Sequence, residues 1–334
     1  MALSQTLPSD WKFFAKGNAN ALFAYSGDNT HFHGKLIRVR LQKDPELYVP
    51  VEKLNTYIQQ KCEPLFPGQI VGTQMIELPD EFRNQLETVD FALMPSETKG
   101  FLMDNVCQGP HKIHRLLKYC KLHVGSSAKK ASNYGCMTSV LLELKPKWLY
   151  MPKDVYCRTC LLKQLKGLER HFCCIDLLQE EKSNSVVADL VSAVPLDVQK
   201  ELAESGFPLF KLIVAFVKRK DNLLHKLMHH QSLDEKDSIL GLSCEQDVLD
   251  KLSLAMTLRD VGMFLKMRKM DDGDKILEDG DGFVVERNGH TFEVTSYIYD
   301  LDLKPKARYT HWKAVEEKLQ KFYKENSDWP PCTV

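Results

Sequence analysis

The chain lacks most of the features that assign a protein quickly. No stretch approaches the ~18–20 consecutive apolar residues needed to span a bilayer. The densest run, Phe210 to Val217, is short and carries Lys211. Met1-Ala2-Leu3-Ser4-Gln5 has no basic segment leading into an apolar one, so no secretory signal is expected. There is no Gly-x-x-x-x-Gly-Lys-Ser/Thr, which excludes a P-loop enzyme. The His-Arg-Asp and Asp-Phe-Gly signatures of protein kinases are also missing. The acidic stretch from Asp271 to Gly282 lacks the ligand order of an EF-hand and reads as a surface loop. Net charge is absent too: 45 basic residues balance 45 acidic ones, which argues against direct nucleic-acid binding. Ten cysteines in 334 residues, without a signal, read as reduced thiols and not as a disulfide framework. Cys157-x-x-Cys160 and Cys173-Cys174 with His171 come nearest to a metal pattern. Without a second clear pair at finger spacing they read as buried apolar residues, and no zinc is expected.

What is present suits an α+β protein with two lobes, residues 1–105 and 106–334, each long enough for a core. A hairpin is expected over Ala19 to Tyr25 and Gly34 to Leu41, joined by the polar loop at Ser26 to Thr30. Alternation on its second arm puts Leu36, Arg38 and Arg40 on one face and Ile37, Val39 and Leu41 on the other. A helix follows at Val51 to Lys61. Phe101 to Asn105 reads as a connection between the lobes, and Lys112 to Asn133 as a basic, partly helical segment. A strand is expected at Thr138 to Leu144. Helical spacing marks Tyr156 to His171, Val186 to Glu204 (split at Pro195), Asp247 to Thr257 and Trp312 to Tyr323. Asn288-Gly289 between extended runs predicts a second hairpin.

Two short motifs stand at the ends of expected core strands. Glu143-Leu144-Lys145-Pro146-Lys147 follows the apolar run Val140-Leu141-Leu142, and Asp300-Leu301-Asp302-Leu303-Lys304-Pro305 follows Tyr297-Ile298-Tyr299. Acidic residues and lysines at strand ends suit phosphate and magnesium chemistry. Cations also cluster at Lys163 and Lys166 with Arg158, and at Lys304, Lys306 and Arg308. A turn-rich segment at Gly17-Asn18-Ala19-Asn20 precedes the first hairpin arm. The order is a glycine-containing turn, an Arg-bearing strand, a short connection, a Lys-bearing strand and a late Asp. That is the order of parts in a bilobal phosphotransferase with its nucleotide between the lobes.

These residues carry a specific resemblance. From about Trp11 to Tyr323 the chain resembles the inositol-pentakisphosphate 2-kinases, most closely the fungal ones. The two Lys-Pro motifs are similar to the family's Glu-Ile-Lys-Pro-Lys and late Asp-Leu-x-Leu-Lys-Pro. Gly17 to Asn20 with Gly34 to Arg38 resembles its nucleotide loop and following strand. The resemblance implies a distant relative of the protein kinases, with an antiparallel N-lobe sheet and a larger C-lobe holding the inositide. It implies transfer of the ATP γ-phosphate, with Mg2+, to the 2-hydroxyl of inositol 1,3,4,5,6-pentakisphosphate.

The implied roles fall on matching positions. Gly17, Asn18, Ala19, Asn20, Arg38, Asp104 and Asn105 would bind nucleotide. Lys145 would sit between γ-phosphate and acceptor. Lys147, Arg158, Lys166, Lys304 and Arg308 would hold inositide phosphates. Asp260, in Thr257-Leu258-Arg259-Asp260, would be the base, with pairing to Arg259 or Lys251 as its structural alternative. Asp300 would bind magnesium, with Asn222 as a loosely aligned second ligand. Trp312 stands where the family often has Tyr, which removes a hydroxyl. The chain is expected to act as a monomer in the nucleus, with the cytoplasm as a second compartment. A non-catalytic inositide-binding scaffold and a less specific inositol-polyphosphate kinase remain open at this point.

Overall fold

The computed structural model describes residues 3–86, 90–107, 111–126, 137–150, 156–168, 173–232, 239–271 and 281–326. The chain divides into two compact units. One comprises Met1–Leu65 with Ile70–Gly109, the other Phe66–Gln69 with Pro110–Val334.

The first unit is built on five antiparallel strands: β1 Trp11–Lys16, β2 Asn20–Tyr25, β3 Lys35–Arg40, β4 Thr73–Glu77 and β5 Lys99–Asp104, in the order β1-β2-β3-β5-β4. The expected hairpin is β2–β3. Ile37 and Val39 enter a core with Trp11, Phe23, Phe32, Ile76 and Leu102. The opposite face of β3 is buried as well, so Arg38 lies against the Phe101 ring and Arg40 against Tyr48. Helix α1 Val51–Tyr57 runs on into a π-helical turn at Ile58–Cys62, and α2 is Asp80–Leu86. Residues 101–105 are not a simple connection: Phe101 to Met103 lie in β5, hydrogen-bonded on both sides and nearly solvent-free. A continuous apolar run in mid-sheet has this pattern, and periodicity alone does not separate it from a buried linker.

The second unit holds six strands: β6 His111–Leu117, β7 Cys120–Ser126, β8 Met137–Leu144, β9 Gly262–Lys269, β10 Phe283–Arg287 and β11 His290–Tyr299. Their order is β10-β11-β9-β8-β7-β6, all antiparallel. Between β8 and β9 the chain runs through α3 Arg158–Leu165, α4 Ser183–Ser192, α5 Leu196–Glu204, α6 Leu209–Val217, α7 Leu223–Gln231 and α8 Asp250–Leu258; α9 Tyr309–Glu325 follows the sheet. Pro195 separates α4 from α5 as its missing N–H requires. Asn288 and Gly289 take φ of 53° and 74°, the left-handed pair of a tight hairpin between β10 and β11. No helix among the described residues is long and apolar enough to cross a membrane.

Two expectations fail here. The basic segment from Lys112 is a hairpin, β6–β7, turning at Lys118-Tyr119. Its cations at 112, 115, 118 and 121 recur every third residue and imitate a helix face. Pairing of Leu122 and Val124 with the buried β8 overrides that signal. Helix α3 stops at Leu165, short of His171. Gly167 at φ 64° closes it, with Leu168 N–H donating to Lys163 O and Gly167 N–H to Gln164 O. His171 and most of the Asp271–Gly282 loop lie outside the described residues.

Candidate active site

The sheet of the second unit assembles the site along one edge. Strand β9 is antiparallel to both neighbours, so β8 and β11 run in the same direction and end together. Lys145 leaves the end of β8 and Asp300 the end of β11. Two strand spacings, about 9–10 Å, separate such ends, which a lysine can span. Lys145 Nζ reaches Asp300 Oδ2 at 3.1 Å. Strand β9 begins at that edge with Gly262, so Asp260 arrives there from the opposite direction. The β6–β7 turn arrives beside them, where Tyr119 O accepts Lys145 N–H at 3.1 Å.

Asp260 is the centre of a charged triad. Its Oδ1 accepts from Lys147 Nζ and its Oδ2 from Lys304 Nζ at 2.7 Å. Burial opposes its charge, but the two ammonium groups outweigh this and hold its pKa near about 2. Neither Arg259 nor Lys251 is needed as its partner. Helix α8 also fixes Lys304 from the backbone: Ser253 Oγ donates to Lys304 O at 2.8 Å, and Thr257 Oγ1 accepts Lys304 N–H at 3.1 Å. Ser253 and Thr257, one turn apart on α8, and Asp260, just past its end, thus grip one residue three times.

Glu143 anchors the strand ends from behind. It accepts from Tyr299 OH at 2.8 Å, Lys121 Nζ at 2.9 Å and His123 Nε2 at 2.9 Å. Despite burial, these bonds hold its pKa near about 2. The Tyr299 ring stacks on Phe264 and lies across Gly262, where an added Cβ would come within 2.1 Å of it. Asp300 itself has φ 66°, a left-handed turn at the strand end that aspartate tolerates better than most residues. Lys145 loses solvent by burial, yet Asp300, Asp260 and Glu143 raise its pKa, so it stays a cation.

Beside the triad lies a cavity of about 610 Å3. The described lining includes nine Lys or Arg side chains and a single carboxylate, that of Asp260. Lys147, Arg158, Lys166, Lys304 and Arg308 are among them, joined by Lys118, Lys163, Arg259 and Lys318. The Trp148 ring carries two guanidinium groups, Arg158 at 3.7 Å and Arg259 at 4.3 Å from its centroid. Arg158 is further fixed by Glu316 Oε2, which accepts its Nε–H at 2.9 Å. Such a cavity suits a compact molecule bearing many phosphates. Trp312 lines it as well, anchored in an apolar cluster with Leu252 and Met256. It presents no hydroxyl.

His311 senses this field. Burial lowers its pKa, and Arg308, Arg158 and Lys318 lower it further. A polyanion that offsets those charges raises the pKa back, so binding takes up a proton at His311 and tightens as pH falls. Calorimetry in buffers of different ionisation enthalpy is expected to show less proton uptake for His311→Gln than for the unaltered protein. The difference isolates His311 from protons on the ligand's own phosphates, and equal uptake in both proteins contradicts the assignment.

The profile of the family described as inositol-pentakisphosphate 2-kinase matches residues 13–318, which contain every element of this site. The chain belongs to the inositol-pentakisphosphate 2-kinase family. It is similar to the inositol-pentakisphosphate 2-kinase of Debaryomyces hansenii, 38% identical with 98% of this chain and 95% of the relative covered. Those of Eremothecium gossypii, at 24% identity over 93% of this chain and 97% of the relative, and Saccharomyces cerevisiae, at 25% over 92% and 96%, extend the match. This family membership makes the chain an enzyme, a kinase.

The remaining expected site residues of this family member divide cleanly. In the first unit, Gly17 to Asn20 form the β1–β2 turn, closed by Gly17 N–H to Asn20 O at 2.9 Å. A Cβ on Gly17 would meet nothing nearer than 4.0 Å, so packing gives no reason for glycine there. Asn20 Oδ1 accepts from Arg40 Nη1 at 3.0 Å, Asp104 pairs with Lys35, and Asn105 Oδ1 accepts Cys107 N–H. Asn222 is a correction. It is 1% exposed and caps α7, its Oδ1 accepting His225 N–H and its Nδ2 donating to the carbonyls of Phe216, Val217 and Arg219. A side chain so committed is not a metal ligand. The cysteines are buried as expected: Cys157, Cys160 and Cys173 form an apolar cluster with Ile175, and their sulfurs lie within 4.8 Å of one another.

One positioning residue escaped the sequence. Gln231, fully buried at the end of α7, accepts Leu149 N–H at 2.7 Å and donates to Pro146 O at 3.1 Å and Leu258 O at 3.0 Å. It ties the Lys145-Pro146-Lys147 segment to the end of α8, and so Lys147 to Asp260. A lone Gln ending a His-rich helix looks like a surface residue. Gln231→Ala strands three buried backbone groups and is expected to cost about 3–5 kcal/mol, read from urea unfolding. A cost under about 1 kcal/mol would show that these groups find other partners. His311 and Lys318 were also missed, although with Val315 and the N-cap Arg308 they follow the three- and four-residue steps of one face of α9.

Proposed function

We propose that this kinase transfers the γ-phosphate of ATP to the 2-hydroxyl of inositol 1,3,4,5,6-pentakisphosphate, giving the hexakisphosphate. The observation that carries the reading is one sheet edge. It joins the Lys145–Asp300 pair to the Lys147–Asp260–Lys304 triad, beside a cavity rich in Lys and Arg. Five phosphate monoesters carry roughly −8 to −10 charge, which the nine cations of the cavity match. Forked Arg groups such as Arg158 add geometry to charge.

Asp300 fits magnesium. It offers a partly exposed, hard oxygen donor, and magnesium is commonly held by one or two carboxylates with phosphates and water completing its shell. When bound there, the ion would neutralise charge on the transferring phosphates. Lys145, kept protonated, turns from Asp300 towards the γ-phosphate. Asp260, kept anionic, accepts the hydrogen bond of the acceptor hydroxyl and orients it. Lys147 and Lys304, which hold Asp260, also face the cavity and share themselves with inositide phosphates. A loose phosphoryl-transfer transition state asks mainly for such positioning and charge. In the first unit, Arg38, the Gly17–Asn20 turn, Asp104 and Asn105 would serve the nucleotide, in a distantly protein-kinase-like arrangement.

The test is incubation of the purified protein with ATP, magnesium and the pentakisphosphate, with separation of products by charge. Formation of hexakisphosphate is expected. Its absence at high enzyme concentration leaves a non-catalytic inositide binder. Equal rates on tris- and pentakisphosphates would replace the strict 2-kinase with a broader one.

A further inference from the structure

The turn between β6 and β7 holds a strained residue at the rim of the cavity. Leu117 pairs with Cys120, so Lys118 and Tyr119 are the two loop residues. Tyr119 has φ 68°, a left-handed conformation that such a turn ordinarily gives to glycine, asparagine or aspartate. A β-bulge between Arg115 and Leu117 stands just before it, and bulges beside active sites re-aim side chains. Strain of this kind persists only where the surrounding structure imposes it. Here Cys120 is buried and paired with Leu144 at the end of β8, and Tyr119 O accepts the Lys145 N–H at 3.1 Å. The turn is therefore clamped to the segment that carries Lys145 and Lys147. Both of its side chains line the cavity. The Tyr119 ring centroid lies 5.0 Å from Lys147 Nζ, which donates to Asp260, so the ring borders the charged triad. Lys118 Nζ lies 5.3 Å from the same centroid. Tyr119 is 48% exposed, so burial of the ring does not account for an aromatic at a position suited to glycine. Among the described residues Lys118 Nζ has no carboxylate partner and Tyr119 OH no hydrogen bond.

We propose that Lys118 and Tyr119 are specificity residues, with Lys118 Nζ and Tyr119 OH donating together to a phosphate on a ring carbon next to the acceptor hydroxyl. The inference rests on the reading of Asp260 as the group that orients that hydroxyl. The carbons beside the 2-hydroxyl are carbons 1 and 3, so the turn reads the 1- or the 3-phosphate. An ammonium and a phenol are both donors, and a phosphate offers several acceptor oxygens to them. Lys147, already against the ring, brings positive charge to the same place. The strain at Tyr119 is what aims its hydroxyl, because a glycine or asparagine would suit the backbone and present no phenol.

The experiment is calorimetry on the whole protein without nucleotide, with three ligands: the pentakisphosphate and the two tetrakisphosphates that lack its 1- or its 3-phosphate. Lys118→Gln and Tyr119→Phe are each expected to weaken the pentakisphosphate by about tenfold. Both substitutions should leave one tetrakisphosphate unaffected, the one without the contacted phosphate, because a contact already absent cannot be lost. Lys200→Gln, on α5 with its side chain 78% exposed, controls for lost charge and should change none of the three affinities. Tyr119→Asn suits the left-handed backbone. It should keep or raise the urea unfolding midpoint while losing the same affinity as Tyr119→Phe. Affinity for the pentakisphosphate within about twofold of the unaltered protein in either Lys118→Gln or Tyr119→Phe overturns the proposal. Equal losses on all three ligands also overturn it, as does a midpoint that falls with affinity in Tyr119→Asn, which would make the ring structural. None of these readouts needs turnover. A protein that binds the pentakisphosphate without phosphorylating it refutes the kinase reading, whereas undiminished affinity in the variants of an active kinase refutes the contact alone.

Discussion

Asp300→Asn is expected to cut turnover by at least about a thousandfold while inositide affinity changes little. Asparagine is the informative substitution because it tolerates the left-handed backbone at φ 66°. It keeps the side-chain shape and removes only the charge. The variant therefore separates loss of a hard anionic ligand from collapse of the strand end, which Asp300→Ala does not. Removing the charge also releases Lys145 from its 3.1 Å ion pair. A freed ammonium group beside the cavity attracts phosphates, so binding is held or strengthened. The measurement is single-turnover kinetics together with calorimetry of inositide binding without nucleotide. Wild-type turnover, or a loss confined to binding, would remove Asp300 from the metal role and make it a positioning residue for Lys145.

The strand-end motifs were legible because each stands where an apolar run meets charge, and that juncture survives any packing. Lys145 and Asp300 are 155 residues apart, and that β8 and β11 end side by side was not legible, because it depends on β9 pairing antiparallel with both. The Asn288-Gly289 hairpin was legible for a local reason, the left-handed conformation those residues favour. The β6–β7 hairpin was not, because its cations every third residue carry helical periodicity and only pairing with β8 reveals the strand. Gln231 was illegible for a related reason: its three hydrogen bonds reach segments 27 to 85 residues away. Asn222 shows the reverse error, a polar residue in a loosely matching place whose valences are filled by the helix it caps.

Asp260→Asn is expected to lose activity by about a hundredfold or more and to bind inositide more tightly. The sign follows from the triad. Asp260 spends its charge on Lys147 and Lys304, and it is the one carboxylate among the cavity's described lining. Neutralising it frees two ammonium groups and removes the repulsion of the one carboxylate among the described lining residues. Binding that weakens along with turnover would mean that Asp260 serves to position the two lysines for the inositide. A residue that orients the acceptor hydroxyl separates the two. The pH profile adds a second constraint. With its pKa held near about 2, Asp260 stays anionic above roughly pH 3. Its protonation therefore sets no acid limb between pH 5 and 8. Any limb seen there belongs to phosphate groups or His311 and should persist in Asp260→Asn at the reduced rate. An acid limb that vanishes in the variant would mean that Asp260 titrates near neutrality in the complex, acting as a proton-abstracting base and not as a fixed anion.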